Sequence, residues 1–435
     1  MNPGSPGVPG VHEVPEKTLL ALAAGGGGAS AADLLLRSQY SKRLLLLRGV
    51  LGAAGPAAVR AHGLLARIQD ADPRAVDAVL RYPTVGEWAR RTLAEPGAAR
   101  PGEYAALAAA AAVRAGFRAE IEVPARSGSV VLPGLGRAPV PGRASALVRT
   151  GPGGAEITAG DVRTRLPADV HEDAPGWEAL RRLTASHRGA AVAFLLDDHD
   201  PDRMPGGERL PHRLPADELE SWRSTLADAW RILVDHHRPA AEEVAALITV
   251  LTPLAPPARG MSSASSRDVF GSVALSSPPD AAHFAVTLVH EVQHAKLAAL
   301  LDLVRLTRPD DGSTYYAPWR EDPRPTAGLL QGAYAHLAIA AFWRTQRRHE
   351  EGAAALRAGG DFARWRAATE YVIRTLAGSG RLTPEGALFV DEMGRTVRAW
   401  LDEPVPDEAL RRARDIAARH LAAWRRRNGG SGDRG

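Results

Sequence analysis

The sequence predicts an α+β protein, mostly helical, with a zincin-like metal site on a buried helix and a strand-rich middle portion. Three observations carry this. Apolar residues fall at helical spacings before residue 117 and again after residue 216. Between residues 117 and 197 the pattern changes to short runs broken by Gly and Pro, as strands require. Leu288–Leu303, LVHEVQHAKLAALLDL, sets His290-Glu291-x-x-His294 in an otherwise apolar helical stretch.

In chain order, residues 1–16 are Pro/Gly-rich and are expected to be mobile. Residues 17–116 form a helical region, seen in LLLRSQYSKRLLLLRGVL and AVRAHGLLARIQ. Asp72-Pro73 and Tyr82-Pro83 punctuate it, and Thr84 is expected to cap the segment containing Trp88. Residues 117–215 form the strand-rich region, with FRAEIEV, GSVVLPGL, SALVRTG, GAEITAG and AVAFLLDD as its strands. Residues 216–350 form the metal-site core. It opens with an amphipathic helix from Asp217 to His237 that ends before Pro239, and AALITVLTPL and DVFGSVALS read as strands near the motif helix. Asp280 caps that helix and Pro309 stops it. A Pro-rich loop then leads to a helix from Thr326 to Arg347. Residues 351–427 are C-terminal helices, and 428–435 read as a disordered tail.

Composition excludes several functions. A length of 435 residues, 45% hydrophobic and 24% charged, suits a soluble globular protein. With no cysteine there can be no disulfide, thiolate nucleophile or Cys-ligated metal, which fits a reducing cytoplasm. The pI near 9.6 invites a nucleic-acid reading. Yet Lys17, Lys42 and Lys296 are the only lysines, and arginines alternate with acids rather than striping one face. The Arg, Ala, Gly and Pro bias is that of a GC-rich bacterial genome. Neither nucleic acid nor a membrane is an expected partner: no window is apolar enough to span a bilayer, and the N-terminus lacks the pattern of a signal peptide. The oligomeric state is left open.

Four residues of helix advance about 6 Å and return to nearly the same face. His290 and His294 can therefore share one cation at about 2.0–2.1 Å per nitrogen, with Glu291 beside it. Two histidines and a glutamate in an apolar helix need such a reason, because unpaired polar groups there are costly. A third ligand must come from elsewhere. Leu297 and Leu300 stand where the long metzincin form needs Gly and His, and the following helix lacks the gluzincin acid. That helix, GLLQGAYAHLAIAAFW, offers His336. Arg320 and Arg324 lie in the proline-framed loop Ala317–Pro325, where their guanidinium forks suit a carboxylate. Tyr315, Tyr316, Trp319 and Gln331 are expected to line the same cavity. The acids of LLDDHDP, Leu195 to Pro201, read as a capped turn, and His236-His237 as a helix C-terminus.

At this point the chain resembles the HExxH-motif peptide-modification proteins of ribosomal natural-product clusters, described as α-ketoglutarate-dependent HExxH-type peptide β-hydroxylases. The residues that carry the resemblance are SSASSRDVFGSVALS with LVHEVQHAKL, and YYAPWREDPRPTAGLLQGAYAHLAIAAFW. LLDDHDP and YPTVGEWARR add to it more loosely. The resemblance implies an Fe(II) centre that uses α-ketoglutarate and O₂ to hydroxylate a side-chain β-carbon of a precursor peptide. His290 and His294 would be metal ligands with His336 as the third, and Arg320 or Arg324 would grip the distal carboxylate of α-ketoglutarate. Glu291 would orient the ligands or replace His336. Two other readings stand beside it. One is a Zn(II) metallopeptidase in which Glu291 activates water; the other is a non-catalytic peptide-binding maturation partner.

Overall fold

The computed structural model describes residues 12–53, 55–95, 100–200, 202–204, 210, 212–257 and 261–428. Most of the expected mobile segment 1–16, and the tail beyond Asn428, lie outside them. Helix accounts for 56% and strand for 17%, so the chain is a helix-dominated α+β protein. No single helix among the described residues is long and apolar enough to cross a membrane. The chain divides into two compact units built from separated stretches: Met1–Leu35 with Asp228–Leu247 and Asp280–Gly435, and Leu36–Ala227 with Ile248–Pro279.

Two helices, α2 (Gly28–Ala53) and α7 (Ala216–His236), have residues in both units. The second unit holds the strand-rich portion. Helices α3 (Pro56–Ala71), α4 (Pro73–Leu80), α5 (Pro83–Ala94) and α6 (Tyr104–Ala115) precede the sheets. Asp72 caps α4 by accepting from the backbone of Arg74 and Ala75, so Asp72-Pro73 punctuates as its sequence dictates. An antiparallel sheet follows, in the order β1 (Ala119–Pro124), β4 (Ser145–Gly151), β5 (Gly154–Ala159), β6 (Val162–Arg165). A smaller one joins β2 (Ser129–Leu132), β3 (Gly136–Pro139) and β7 (Glu178–Ala179). The third, mixed sheet runs β11 (Ser263–Ala264), β12 (Ser272–Leu275), β10 (Val250–Pro253), β9 (Ala190–Leu196), β8 (Arg181–His187), and in it β10 is parallel to both neighbours. All four positions of β10 are buried, as a central parallel strand requires, and its one polar side chain, Thr252, meets the Ser272 hydroxyl at 3.4 Å.

Thr84 is not the cap expected of it. Pro83 takes the first helical position and Tyr82 the cap, while the Thr84 hydroxyl donates to Asp200 Oδ2 at 2.7 Å. The acids of LLDDHDP are spent in the same way. Asp197 accepts from the backbone of His199 and Asp200 as a capped turn and takes the Tyr82 hydroxyl at 2.6 Å. Asp198 is gripped by Arg181 and Arg213. This turn ties α5 to the end of β9.

The first unit is helical. It contains α1 (Glu16–Ala23), α8 (Arg238–Leu247), α9 (Ala281–Leu300), α10 (Thr326–Gln346), α11 (Gly352–Gly378), α12 (Pro384–Leu401) and α13 (Asp407–Asn428). Asp280 caps α9 as expected, accepting from His283 N at 2.9 Å. The helix ends at Leu300, well before Pro309. A tight turn follows, and Thr307 bridges to Leu382 as an extended residue. Pro239 does not merely stop a helix either, since it sits in the first turn of α8.

Alanine, glycine and leucine make α9 and α10 apolar nearly all round, which is the signature of helices enclosed by others. Several of their few polar residues are committed to buried hydrogen bonds. Lys296, 2% exposed, donates to Glu243 of α8 at 2.7 Å and to the Gly25 carbonyl at 3.1 Å. Gln293 donates to that carbonyl too, at 3.0 Å. Gly25 has φ of +88°, a conformation open to glycine, and so presents its carbonyl to both side chains.

His237 stacks on Phe342, ring centres 4.2 Å apart, and its Nε2 meets Gln346 Oε1 at 3.2 Å. Burial pushes it down to about 4. A histidine depressed in the folded state contributes full stability above its unfolded value near 6.5 and loses it as pH falls toward 4. Urea denaturation at pH 7.5 and pH 5 is expected to show His237→Gln with a shallower pH dependence than wild type, by about 2 kcal/mol. Equal slopes would mean that the buried imidazole is not the group titrating.

Candidate metal centre

The two motif histidines lie one turn apart on α9, and their Nε2 atoms are 3.1 Å apart. Two nitrogens at about 2.0–2.1 Å from one cation must stand roughly 2.9–3.4 Å apart, so the pair fits a shared metal. The second nitrogens of His294 and His336 are arranged to suit. His294 Nδ1 donates to Gln331 Oε1 at 3.2 Å, which leaves Nε2 with its lone pair. His336, on α10, donates from Nδ1 to the Gly332 carbonyl at 2.8 Å, and its Nε2 is likewise the bare nitrogen. Burial pushes His290 well below its usual range and His336 down to about 3, so both imidazoles stay neutral, as metal ligation requires.

Two polar atoms beside the pair have no hydrogen-bond partner among the described residues: His290 Nδ1 and Glu291 Oε2, both buried. Glu291 Oε1 lies 3.8 Å from His290 Nε2. An orphaned carboxylate oxygen such as Glu291 Oε2 is rare at this depth and is the kind of group a ligand completes, whereas His290 Nδ1 faces away from the paired Nε2 atoms. The His290 side chain retains 18% exposure, so the pair is reachable from outside.

His336 stands beside the pair, its ring centre 5.4 Å from that of His290. Among the described residues no three His, Asp or Glu side chains are gathered into one cage. What fixes His336 is aromatic packing. Trp319 stacks flat on it at 4.1 Å and 13°, and Trp365 of α11 leans on it at 4.8 Å. The Trp319 indole fits because Gly332 has no side chain: a Cβ there would lie 2.5 Å from the indole nitrogen. Gly332→Ala is therefore expected to push Trp319 off His336 and weaken metal affinity about tenfold, read by competition with a chelator. Unchanged affinity with displaced Trp319 fluorescence would detach the indole from the site.

The loop between α9 and α10 is less open than its prolines imply. Its ends pair as a short ribbon, β13 (Thr314–Tyr315) with β14 (Arg324–Pro325), so Tyr315 lies opposite Arg324. Tyr316 leaves the ribbon toward the C-terminal helices, its hydroxyl 2.8 Å from His420 Nδ1 and its ring against Trp424. Arg320 and Arg324 both donate to Asp322, at 2.9 and 3.0 Å, and Arg320 is 53% exposed. These two guanidiniums hold the Asp322 carboxyl down at about 2.

Sequence reasoning thus placed Gln331 in the cavity without seeing its role as the partner of His294. It missed Gly332, Trp365 and Arg364. Gly332 could have been flagged from its spacing of four before His336, whereas α11 reads in sequence as an ordinary mixed-charge helix.

Fold and site together define a helix-dominated α+β protein with a paired-histidine centre between buried helices. Compared with known protein families and with curated proteins, the chain matches none.

Proposed function

We propose that the protein is an Fe(II)- and α-ketoglutarate-dependent dioxygenase that hydroxylates a side-chain β-carbon of a ribosomally made precursor peptide in the bacterial cytoplasm. The observation that carries the reading is Trp319 stacked on His336 beside the His290/His294 pair. The loop bearing the family resemblance thereby lies against one of the three imidazoles proposed to hold the metal.

His290 and His294 would hold the metal through Nε2, with His336 or Glu291 completing the set. When bound, ferrous iron with α-ketoglutarate and O₂ supplies the oxidising power to place one oxygen on an unactivated carbon. The chain's own part is orientation and exclusion of water. Gln331 and the Gly332 carbonyl keep a proton on Nδ1 of His294 and His336, and so keep Nε2 free. Trp319 and Trp365 shield His336 from solvent. The cosubstrate's distal carboxylate needs a cation, and both loop arginines, Arg320 and Arg324, already donate to Asp322.

One observation favours a second reading. Glu291 Oε2 is buried and unsatisfied next to the pair, which is where a zinc peptidase keeps the carboxylate that takes a proton from water. The experiment that separates the two incubates anaerobically purified protein with Fe(II), α-ketoglutarate, O₂ and the peptide encoded beside its gene. A peptide heavier by one oxygen, with succinate released, supports the dioxygenase. Cleaved peptide with Zn(II), and no succinate with iron, sinks it.

A further inference from the structure

Arg364, on α11, differs from the other arginines around the centre. Arg320 and Arg324 are both tied to Asp322. Arg364 is half-buried, yet no hydrogen bond or ion pair reaches its guanidinium among the described residues. Asp361, one turn earlier on the same helix, is the nearest acid in sequence, and the two are not joined within ion-pair distance. The guanidinium instead lies over the Trp365 ring, 4.1 Å from its centre. That same indole is 4.8 Å from the His336 ring. One tryptophan thus touches both an uncommitted cation and the candidate third imidazole.

The electrostatics agree with this closeness. The charge of Arg364 helps to depress His336 and His420, and Tyr316 and Asp361 act on Arg364 in return. Burial disfavours the lone guanidinium, a cost that an incoming anion would relieve. Stacking on an indole also fixes the fork's plane, which favours a planar, two-oxygen partner over a spherical ion.

We propose that Arg364, held on Trp365 beside His336, binds a carboxylate of the ligand that occupies the metal centre. The inference rests on the dioxygenase reading for one source of that carboxylate, the distal group of a 2-oxo diacid. The other source is an acidic group of the peptide substrate.

The test uses the full chain loaded anaerobically with Fe(II), and calorimetric titration of 2-oxoglutarate and of 2-oxobutanoate, which keeps the chelating head but lacks the second carboxylate. Arg364→Gln is expected to weaken 2-oxoglutarate binding by about tenfold or more while 2-oxobutanoate binds as in wild type. Arg364→Lys should recover part of the loss, and metal content and thermal midpoint should not move. The Arg320→Gln/Arg324→Gln double variant should bind the diacid as wild type does. A parallel titration with the precursor peptide identifies the source: a loss confined to the peptide assigns the carboxylate to the substrate. Glutarate titrated into metal-free protein reads the arginine alone, so a failure of the iron reading would not conceal the outcome. If Arg364→Gln binds diacid, peptide and glutarate as wild type does, the assignment is wrong. If the loop double variant alone loses the diacid, the clamp is in the loop and Arg364 is excluded.

Discussion

His290→Ala and His294→Ala are each expected to abolish stable metal binding without unfolding the chain. The Nε2 atoms are the two best-placed donors in the site, 3.1 Å apart, and each variant leaves the other with one well-placed neighbour fewer. Loss of an outer-sphere partner typically costs about 10–100-fold in metal affinity, so loss of a ligand should exceed about 100-fold. Stability should change little or rise, because each substitution removes a buried imidazole and inserts the best helix former into α9. Elemental analysis after loading with Fe(II) or Zn(II), paired with circular dichroism, reads both effects. Full metal content in either variant would place the metal elsewhere.

Lys296→Met is expected to have the largest effect on stability, a loss of about 3–5 kcal/mol. Lys296 and Glu243 are 2% and 7% exposed, so removal of the ammonium strands a carboxylate away from water. Burial already raises Glu243, and Lys296 is the first group that opposes the rise. The stranded carboxylate would take up a proton, and the damage should therefore be smaller at pH 5 than at pH 8. The double variant Lys296→Met/Glu243→Leu removes both charges and should recover most of the loss, since desolvation of a buried pair rivals its mutual attraction. The bonds from Lys296 to the Gly25 carbonyl and from Gly28 N to Glu243 Oε1 stay broken. Urea unfolding of wild type, Lys296→Met, Glu243→Leu and the double variant is the measurement. Additive losses in the double variant would contradict the pair account.

The legibility of the chain in sequence varied with the range of the interaction. Helices and strands followed from period and punctuation, because burial of one face is a local pattern; α10 and the cap at Asp280 fell where that pattern put them. Thr84 and Pro309 show its limits. Thr84 was drawn off by Asp200, 116 positions away, and α9 stopped early where the chain turned to meet Leu382. The pair His290 and His294 was legible because a helix brings residues four apart to one face. The remaining neighbours depend on α10 and α11 packing together. Nothing in α11 distinguishes Arg364, at the edge of the centre, from Arg374, which pairs with Glu370.

The most direct measurement is the origin of the oxygen in the product. With isotopically heavy O₂ in ordinary water, Fe(II) and α-ketoglutarate, the account predicts an intact peptide that carries one heavy oxygen and succinate that carries another. Peptide cut at one bond, with ordinary oxygen from water at the new carboxylate and no heavy label, would contradict it and make this helix pair a hydrolase.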